Sequence, residues 1–63
     1  MNDPLVFEVG SVQAMDGSTV RVGVRHGAVW IRSNGSPLSR TQAEAFTLLF
    51  TRAAWLAGQQ DTP

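Results

Sequence analysis

The residues closest to a catalytic grouping are His26 and three serines downstream of it, Ser33, Ser36 and Ser39. A histidine can act as general base on a nucleophilic hydroxyl when a carboxylate orients its imidazole. None of these serines stands in a nucleophile-elbow sequence, and no carboxylate is spaced to orient the ring. His26 also precedes Gly27, a pair typical of an exposed turn. We therefore expect His26 to be a solvent-exposed turn residue.

The acidic residues offer no second kind of chemistry. They are scattered without the spacing of a catalytic pair, at Asp3, Glu8, Asp16, Glu44 and Asp61. One histidine and no cysteine are too few for a structural zinc site within one chain. The stretch GSVQAMDG lacks the GK[ST] ending of a phosphate-binding loop. The sequence therefore predicts a protein that is not an enzyme, with no cofactor and no metal.

Length and composition predict a small domain that needs reinforcement. The chain has 63 residues and no disulfides to form. Domains of this size bury only about 60% of their unfolded surface, and many add a metal or a second subunit. The net charge of zero argues against a strong binder of polyanions. The N-terminus, acidic with a short apolar run, predicts neither a signal peptide nor a membrane segment, so we expect a cytoplasmic protein with no membrane partner.

Turn signals divide the chain, taken as one domain over 1–63, into three strands and a helix. These signals are Asp16-Gly17, His26-Gly27 and Asn34-Gly35. Runs rich in β-branched and aromatic residues predict strands over about 5–14, 19–25 and 28–33. Because the connections are short, we expect an antiparallel three-stranded β-meander. With one C-terminal helix packed on one sheet face, the fold class is α+β.

A two-residue turn at His26-Gly27 would fix the pairing of the second and third strands. On the core face it pairs Val24 with Val29 and Val22 with Ile31, and on the outer face Gly23 with Trp30 and Arg21 with Arg32. The first strand changes phase at Gly10-Ser11. A β-bulge there would turn Leu5, Phe7, Val9, Val12 and Ala14 to one side. Without a bulge, Ser11 and Gln13 would lie near the edge of the core.

The helix is predicted over about 40–57. Its N-cap is Ser39 with Gln42, or Thr41 with Glu44, since both pairs match a capping box. Gly58 fits the position that ends a helix, and residues 58–63 are predicted to be a frayed tail. Helical periodicity predicts one face against the sheet: Phe46, Leu49, Phe50, Ala53, Leu56 and Ala57, flanked by Ala43.

A second apolar stripe lies on the other side of this helix. Leu48 and Trp55 share it, with Ala45 and Arg52 beside them. A sheet covered by one helix has no place for this stripe, so we interpret these four residues as an interface, most simply of a two-fold homodimer. Two alternatives are that single exposed hydrophobic residues are ordinary, and that Trp55 folds back over the N-terminal segment, Leu5 or the chain end.

The outer face of the sheet is the second candidate surface. It carries Trp30, Arg21, Arg25 and Arg32, with an acidic group expected between Arg21 and Arg32. This group could be Glu8, Glu44, an acidic residue of a partner or a phosphate. The face can be a solvated polar surface, a docking site for a protein or a platform for single-stranded nucleic acid.

These patterns predict a small non-enzymatic protein–protein interaction module, homodimeric or bound to another protein. All five basic residues are arginine, and Ala, Val and Gly are abundant. Such usage is typical of a GC-rich genome, so a phage-encoded or actinobacterial modulator of a host protein fits. The alternative is a small nucleic-acid-associated regulatory protein that uses the Arg and Trp sheet face. The layout resembles the sheet-and-helix dimerisation domains of small nucleoid-associated proteins, without a motif that assigns residues.

Overall fold

The computed structural model of the protein describes residues 3–60. Its elements are β1 (Val6–Gln13), β2 (Thr19–Arg25), β3 (Ala28–Arg32) and α1 (Arg40–Gln60). The strands form one antiparallel sheet in the order β1-β2-β3, and α1 packs on one face of that sheet. This arrangement confirms the predicted α+β meander with a C-terminal helix.

The β2–β3 hairpin has the predicted register. Val24 pairs with Val29 and Val22 with Ile31, while Gly23 pairs with Trp30 and Arg21 with Arg32. The turn between the strands is His26-Gly27, where φ is 48° and 84°. Positive φ at both central residues is what a two-residue type I′ hairpin turn requires, and its twist matches that of the flanking strands. The turn therefore sets which side chains of β2 and β3 face the helix.

The expected bulge in β1 exists, but it lies slightly earlier than the phase change in the sequence. The register with β2 shifts between Glu8 and Gly10, so that Val9 is the additional residue. Phe7 then pairs with Val24 and Gly10 with Val22. Gly10 consequently faces the helix, where a Cβ atom would come within 2.7 Å of Leu49 Cδ1. The lack of a side chain at Gly10 gives Leu49 room against the strand.

The core is built from small side chains. Val22, Val24, Ala53 and Ala57 form one buried cluster, and five larger apolar residues pack partly buried against it: Val9, Val29, Phe46, Leu49 and Leu56. Valine and alanine let α1 approach the sheet closely but bury less apolar area than leucine or phenylalanine would. The buried core therefore contributes only modestly to the free energy of folding, as expected for a domain of this size.

Several residues predicted for the core side are only partly covered. Phe50 is 39% exposed, Phe7 41% and Ile31 50%. Phe50 packs on Phe46 at the margin of the sheet-facing stripe, and Phe7 and Ile31 lie on the two edge strands. The cause is width, since three strands spaced about 4.8 Å apart make a narrow sheet that one helix covers only along its middle.

The helix begins as predicted and ends later than predicted. The Ser39 backbone N–H donates to Gln42 Oε1 at 2.8 Å, and the Gln42 N–H donates to Ser39 Oγ at 3.1 Å. This is the first of the two expected capping boxes. The helix does not end at 57 but continues through Gly58 to Gln60. Its last turn is anchored because the Gly27 N–H donates to Gln60 Oε1 at 2.8 Å.

The predicted frayed tail is accordingly wrong for residues 58–60, and residues 61–63 lie outside the described part of the chain. Within residues 3–60, no helix combines the length and apolar character that crossing a membrane requires.

Asp16 connects the β1–β2 turn to the loop that leads into the helix. Its carboxylate accepts hydrogen bonds from Ser18, Ser36 and Asn34. These hydrogen bonds, that of the Ser18 hydroxyl above all, hold the pKa of Asp16 well below its usual range because they favour the charged form. The Met15 N–H also donates to the Pro37 carbonyl at 3.0 Å. The two loops at this end of the sheet are therefore fixed to each other.

Candidate interaction surfaces

The outer helix face is formed by Ala45, Leu48, Arg52 and Trp55. These residues follow one another at intervals of three, four and three along α1. At 3.6 residues per turn this spacing places their side chains in one row, turned away from the buried Ala53 and Ala57. It is also the spacing of the seam between two paired helices. The structure thus brings together the four residues that the sequence predicted as an interface.

The two large apolar residues of this face are in solvent. Leu48 is 76% exposed and Trp55 is 64% exposed. This exposure contradicts the alternative in which Trp55 folds back over Leu5, a residue that is itself 39% exposed. The chain end, the other proposed cover, lies beyond the described residues. Isolated exposed hydrophobic residues are common, but here two of them lie on the same row of one helix.

Two shallow grooves flank the row. One, of about 400 Å³, lies between the helix and β1 and is lined by Ala45, Leu48, Leu49, Arg52 and the strand residues 10–12. The other, of about 540 Å³, is lined by Leu48, Thr51, Arg52, Trp55 and Leu56. Leu48 and Arg52 border both grooves. The outer helix face is therefore a ridge with apolar hollows beside it, a shape that a complementary ridge can enter.

On the outer sheet face, Trp30 is held tightly by its own chain. A Cβ atom at Gly23 would lie 2.2 Å from the indole, so the ring lies directly on the glycine backbone. The indole N–H donates to the Val24 carbonyl at 3.1 Å. The Arg32 guanidinium lies 5.8 Å from the ring centroid, within cation–π range. These contacts are those of the polar-surface interpretation, in which the ring packs on glycine and an arginine.

The arginines of this face differ in their partners. Arg21 pairs with Glu8 at 3.0 Å, which identifies Glu8 as the acidic group expected near the opposed Arg21 and Arg32. Glu44, the other candidate, pairs instead with Arg40 one helical turn away. Both pairs are exposed and contribute little to stability. Arg25 lies with Trp30 and Arg32 around an open hollow of about 270 Å³.

The residues first considered for chemistry are dispersed. His26 is exposed in its turn, as predicted, but Nε2 lies 2.8 Å from the Asp3 carboxylate. The expectation that no carboxylate is placed to orient this imidazole is therefore wrong. Ser36 donates to Asp16, and Ser39 caps the helix. Within the described chain, no group of three or more His, Cys, Asp or Glu side chains could hold a metal ion. None of these contacts places a nucleophile beside a base.

Sequence reasoning did not anticipate the groove between the helix and β1. Gly10 is one of its lining residues and faces Leu49 because of the bulge at Val9. The sequence signal was the phase change in β1. A shift of the bulge by one residue would move Gly10 from the helix side of the sheet to the outer side, and the sequence did not place the bulge to within one residue. Comparison with known protein families, with curated proteins and with solved structures finds no match.

Proposed function

We propose that the protein is a small non-enzymatic interaction module that forms a homodimer through its outer helix face. The observation that carries the proposal is the exposure of Leu48 and Trp55 on one row of α1. Fully burying a leucine side chain gains about 1.5–3 kcal/mol, and a tryptophan offers a still larger area. For a domain whose core is mainly valine and alanine, this is a large fraction of the available stability.

The outer helix face and the grooves beside it form one continuous candidate contact. Leu48 is 76% exposed and Trp55 is 64% exposed, and a shallow groove lies on each side of their row. A standard interface buries about 800 Å² on each partner. A stable dimer contact would therefore have to cover the grooves as well as the row.

A second copy is the occupant that the composition of the face favours. The row holds one small residue, one medium apolar residue, one aromatic and one arginine: Ala45, Leu48, Trp55 and Arg52. Aromatic residues and arginine are enriched in interfaces. In a two-fold dimer the same patch supplies both the protruding and the receiving side chains. The protein is also neutral overall, so net charge repulsion does not oppose self-association.

The outer sheet face receives no separate function here. A platform for single-stranded nucleic acid needs an aromatic ring that is open to a base. One side of the Trp30 indole lies on Gly23, and Arg32 lies within 5.8 Å of the ring. These contacts argue against nucleic-acid binding at this face. Binding of a fluorescent oligonucleotide at low salt, weakening as salt is added, would support it instead.

The proposal is tested by light scattering on two matched variants. Trp55 and Met15 are both 64% exposed, but Met15 lies at the β1–β2 turn, far along the chain from the outer helix face. We expect Trp55→Ala to reduce the mass from that of a dimer to that of a monomer at micromolar concentration. Met15→Ala removes a side chain of the same accessibility and should leave the dimer unchanged.

Circular dichroism of each variant checks whether the helix and the sheet are retained. This control separates loss of assembly from loss of folding. A Trp55→Ala protein that remains dimeric, or a native protein that is monomeric throughout the micromolar range, would contradict the proposal.

A further inference from the structure

The row of the outer helix face has a particular order of sizes. Ala45, the smallest side chain, and Trp55, the largest, lie near its two ends, with Leu48 and Arg52 between them. In the heptad notation of paired helices, Ala45 and Arg52 occupy a positions, and Leu48 and Trp55 occupy d positions. The direction in which two such helices pair decides which sizes meet.

A parallel pair would bring identical residues to the same level. Trp55 would then meet the partner's Trp55, Arg52 would meet the partner's Arg52, and the two alanines would leave a gap. Two bulky rings at one level and an empty space at another pack poorly. Two arginines held directly opposite each other repel.

An antiparallel pair brings the two kinds of seam position to the same level. Trp55 then lies opposite the partner's Ala45, and Leu48 lies opposite the partner's Arg52. The largest side chain meets the smallest at both ends, and the aliphatic stem of arginine can cover leucine while its guanidinium remains in water. Antiparallel alignment also places opposite helix dipole ends next to each other.

The structure contains a space for the indole at the required place. The groove of about 400 Å³ between α1 and β1 opens beside Ala45 and Leu48 and is floored in part by residues 10–12. Leu49 occupies the space directly over Gly10, so the open part of the groove lies beside the Leu49 side chain, between Ala45, Leu48 and the strand. An indole from a second helix that lies across Ala45 would enter this groove.

We propose that two copies of the chain pair through α1 in antiparallel orientation, each inserting Trp55 into the groove above the partner's Ala45. This inference rests on the proposed function, because it specifies the geometry of the same interface. The same pairing continues one position further along the seam at each end of the helix. There Thr41 would lie opposite the partner's Gln59. Both residues are exposed, and both lie on the helix.

The native chain contains no cysteine, so single cysteine substitutions give an unambiguous crosslinking test. Thr41→Cys and Gln59→Cys are prepared separately and oxidised either alone or as an equimolar mixture. In the antiparallel dimer, Thr41 and the partner's Thr41 are about 27 Å apart along the helix axis, too far for a disulfide. We therefore expect a covalent dimer in the mixture only, with one chain of each variant.

The other outcomes separate the two proposals. Sedimentation of the reduced variants first establishes whether they are dimers. If they are dimers and each variant crosslinks to itself, the helices are parallel; the orientation is then wrong while the homodimer stands. If they are dimers but no mixture crosslinks, the antiparallel register is wrong, and the mass of Trp55→Ala then decides whether the outer helix face forms the dimer. Reduced variants and native protein that are all monomeric overturn the proposed function and this inference with it.

Discussion

Trp30 and Trp55 lie on opposite sides of the molecule and differ in what covers them. The Trp30 indole lies on Gly23, donates its N–H to the Val24 carbonyl and has Arg32 within cation–π range. The Trp55 indole is 64% exposed on the outer helix face. A tryptophan on a narrow sheet can thus be accommodated by one glycine in the neighbouring strand. On the single covering helix no second layer exists, and we propose that a second copy of the chain covers Trp55.

The largest effect is expected from removing the space under Trp30. In Gly23→Ala the new Cβ would come within 2.2 Å of the indole and 2.5 Å of the Phe7 carbonyl oxygen, which belongs to the backbone and cannot rotate away. We expect a loss of about 2–3 kcal/mol in the free energy of unfolding, measured by urea denaturation.

Gly10→Ala is the matched control for that substitution. Its Cβ would meet the flexible end of Leu49 at 2.7 Å, and this side chain can change rotamer. A smaller loss is therefore expected than for Gly23→Ala. Equal losses would show that the close contact of Trp30 with the strand is not what makes Gly23 necessary.

The dependence of the melting temperature on protein concentration distinguishes Trp55 from Trp30 more sharply. If folding and pairing are coupled, the melting temperature of the native protein should rise by about 3–5 °C for each tenfold increase in protein concentration. Trp55→Ala should abolish this dependence. Trp30→Ala should reduce the free energy of unfolding by about 2 kcal/mol and so lower the melting temperature at every concentration. The rise of melting temperature with protein concentration should remain. The measurement is thermal circular dichroism over a dilution series.

The hydrogen bonds of Asp16 should give the fold a dependence on pH. Because its pKa is lowered in the folded state, its charged form stabilises the fold above the unfolded pKa of about 3.9. That stabilisation is lost as the pH falls below this value. We expect the melting temperature to decrease between pH 5 and pH 2. The decrease should be smaller in Asp16→Asn, which has no charge to lose at this position; identical pH profiles would contradict the assignment.

The smallest effect is expected at Gly58, and its sign is positive. This residue lies within α1, where a Cβ would meet no atom within 4 Å. Alanine is more favourable than glycine in a helix by about 0.5–1 kcal/mol. Gly58→Ala should therefore raise the free energy of unfolding by that amount without altering the mass, as urea denaturation and light scattering would show. A decrease in stability would indicate that the helix does not extend past this position as described.

Local patterns in the sequence predicted those parts of the fold that local interactions decide. The pair His26-Gly27 specified its own turn, and with it the register of β2 and β3. Ser39 and Gln42 formed the predicted capping box. Both features depend on residues within a few positions of each other, so the sequence contains all the information that they need.

Features that depend on distant contacts were predicted less well. The helix continues past Gly58 because Gln60 reaches the turn at Gly27, a contact that no local signal reveals. The exposure of Phe50 depends on the width of the sheet under it. For the outer helix face, helical periodicity was sufficient to place Leu48 and Trp55 together, but the groove beside Ala45 also required the position of the bulge in β1.

The mass of the native protein over a dilution series in analytical ultracentrifugation tests the homodimer most directly. We expect a species of twice the 6.8 kDa chain mass at micromolar concentrations and above. On dilution this species should dissociate, and the tryptophan emission should shift to longer wavelength as Trp55 enters water. A single species of 6.8 kDa at every concentration, with constant emission, would contradict the claim that a second copy covers the outer helix face.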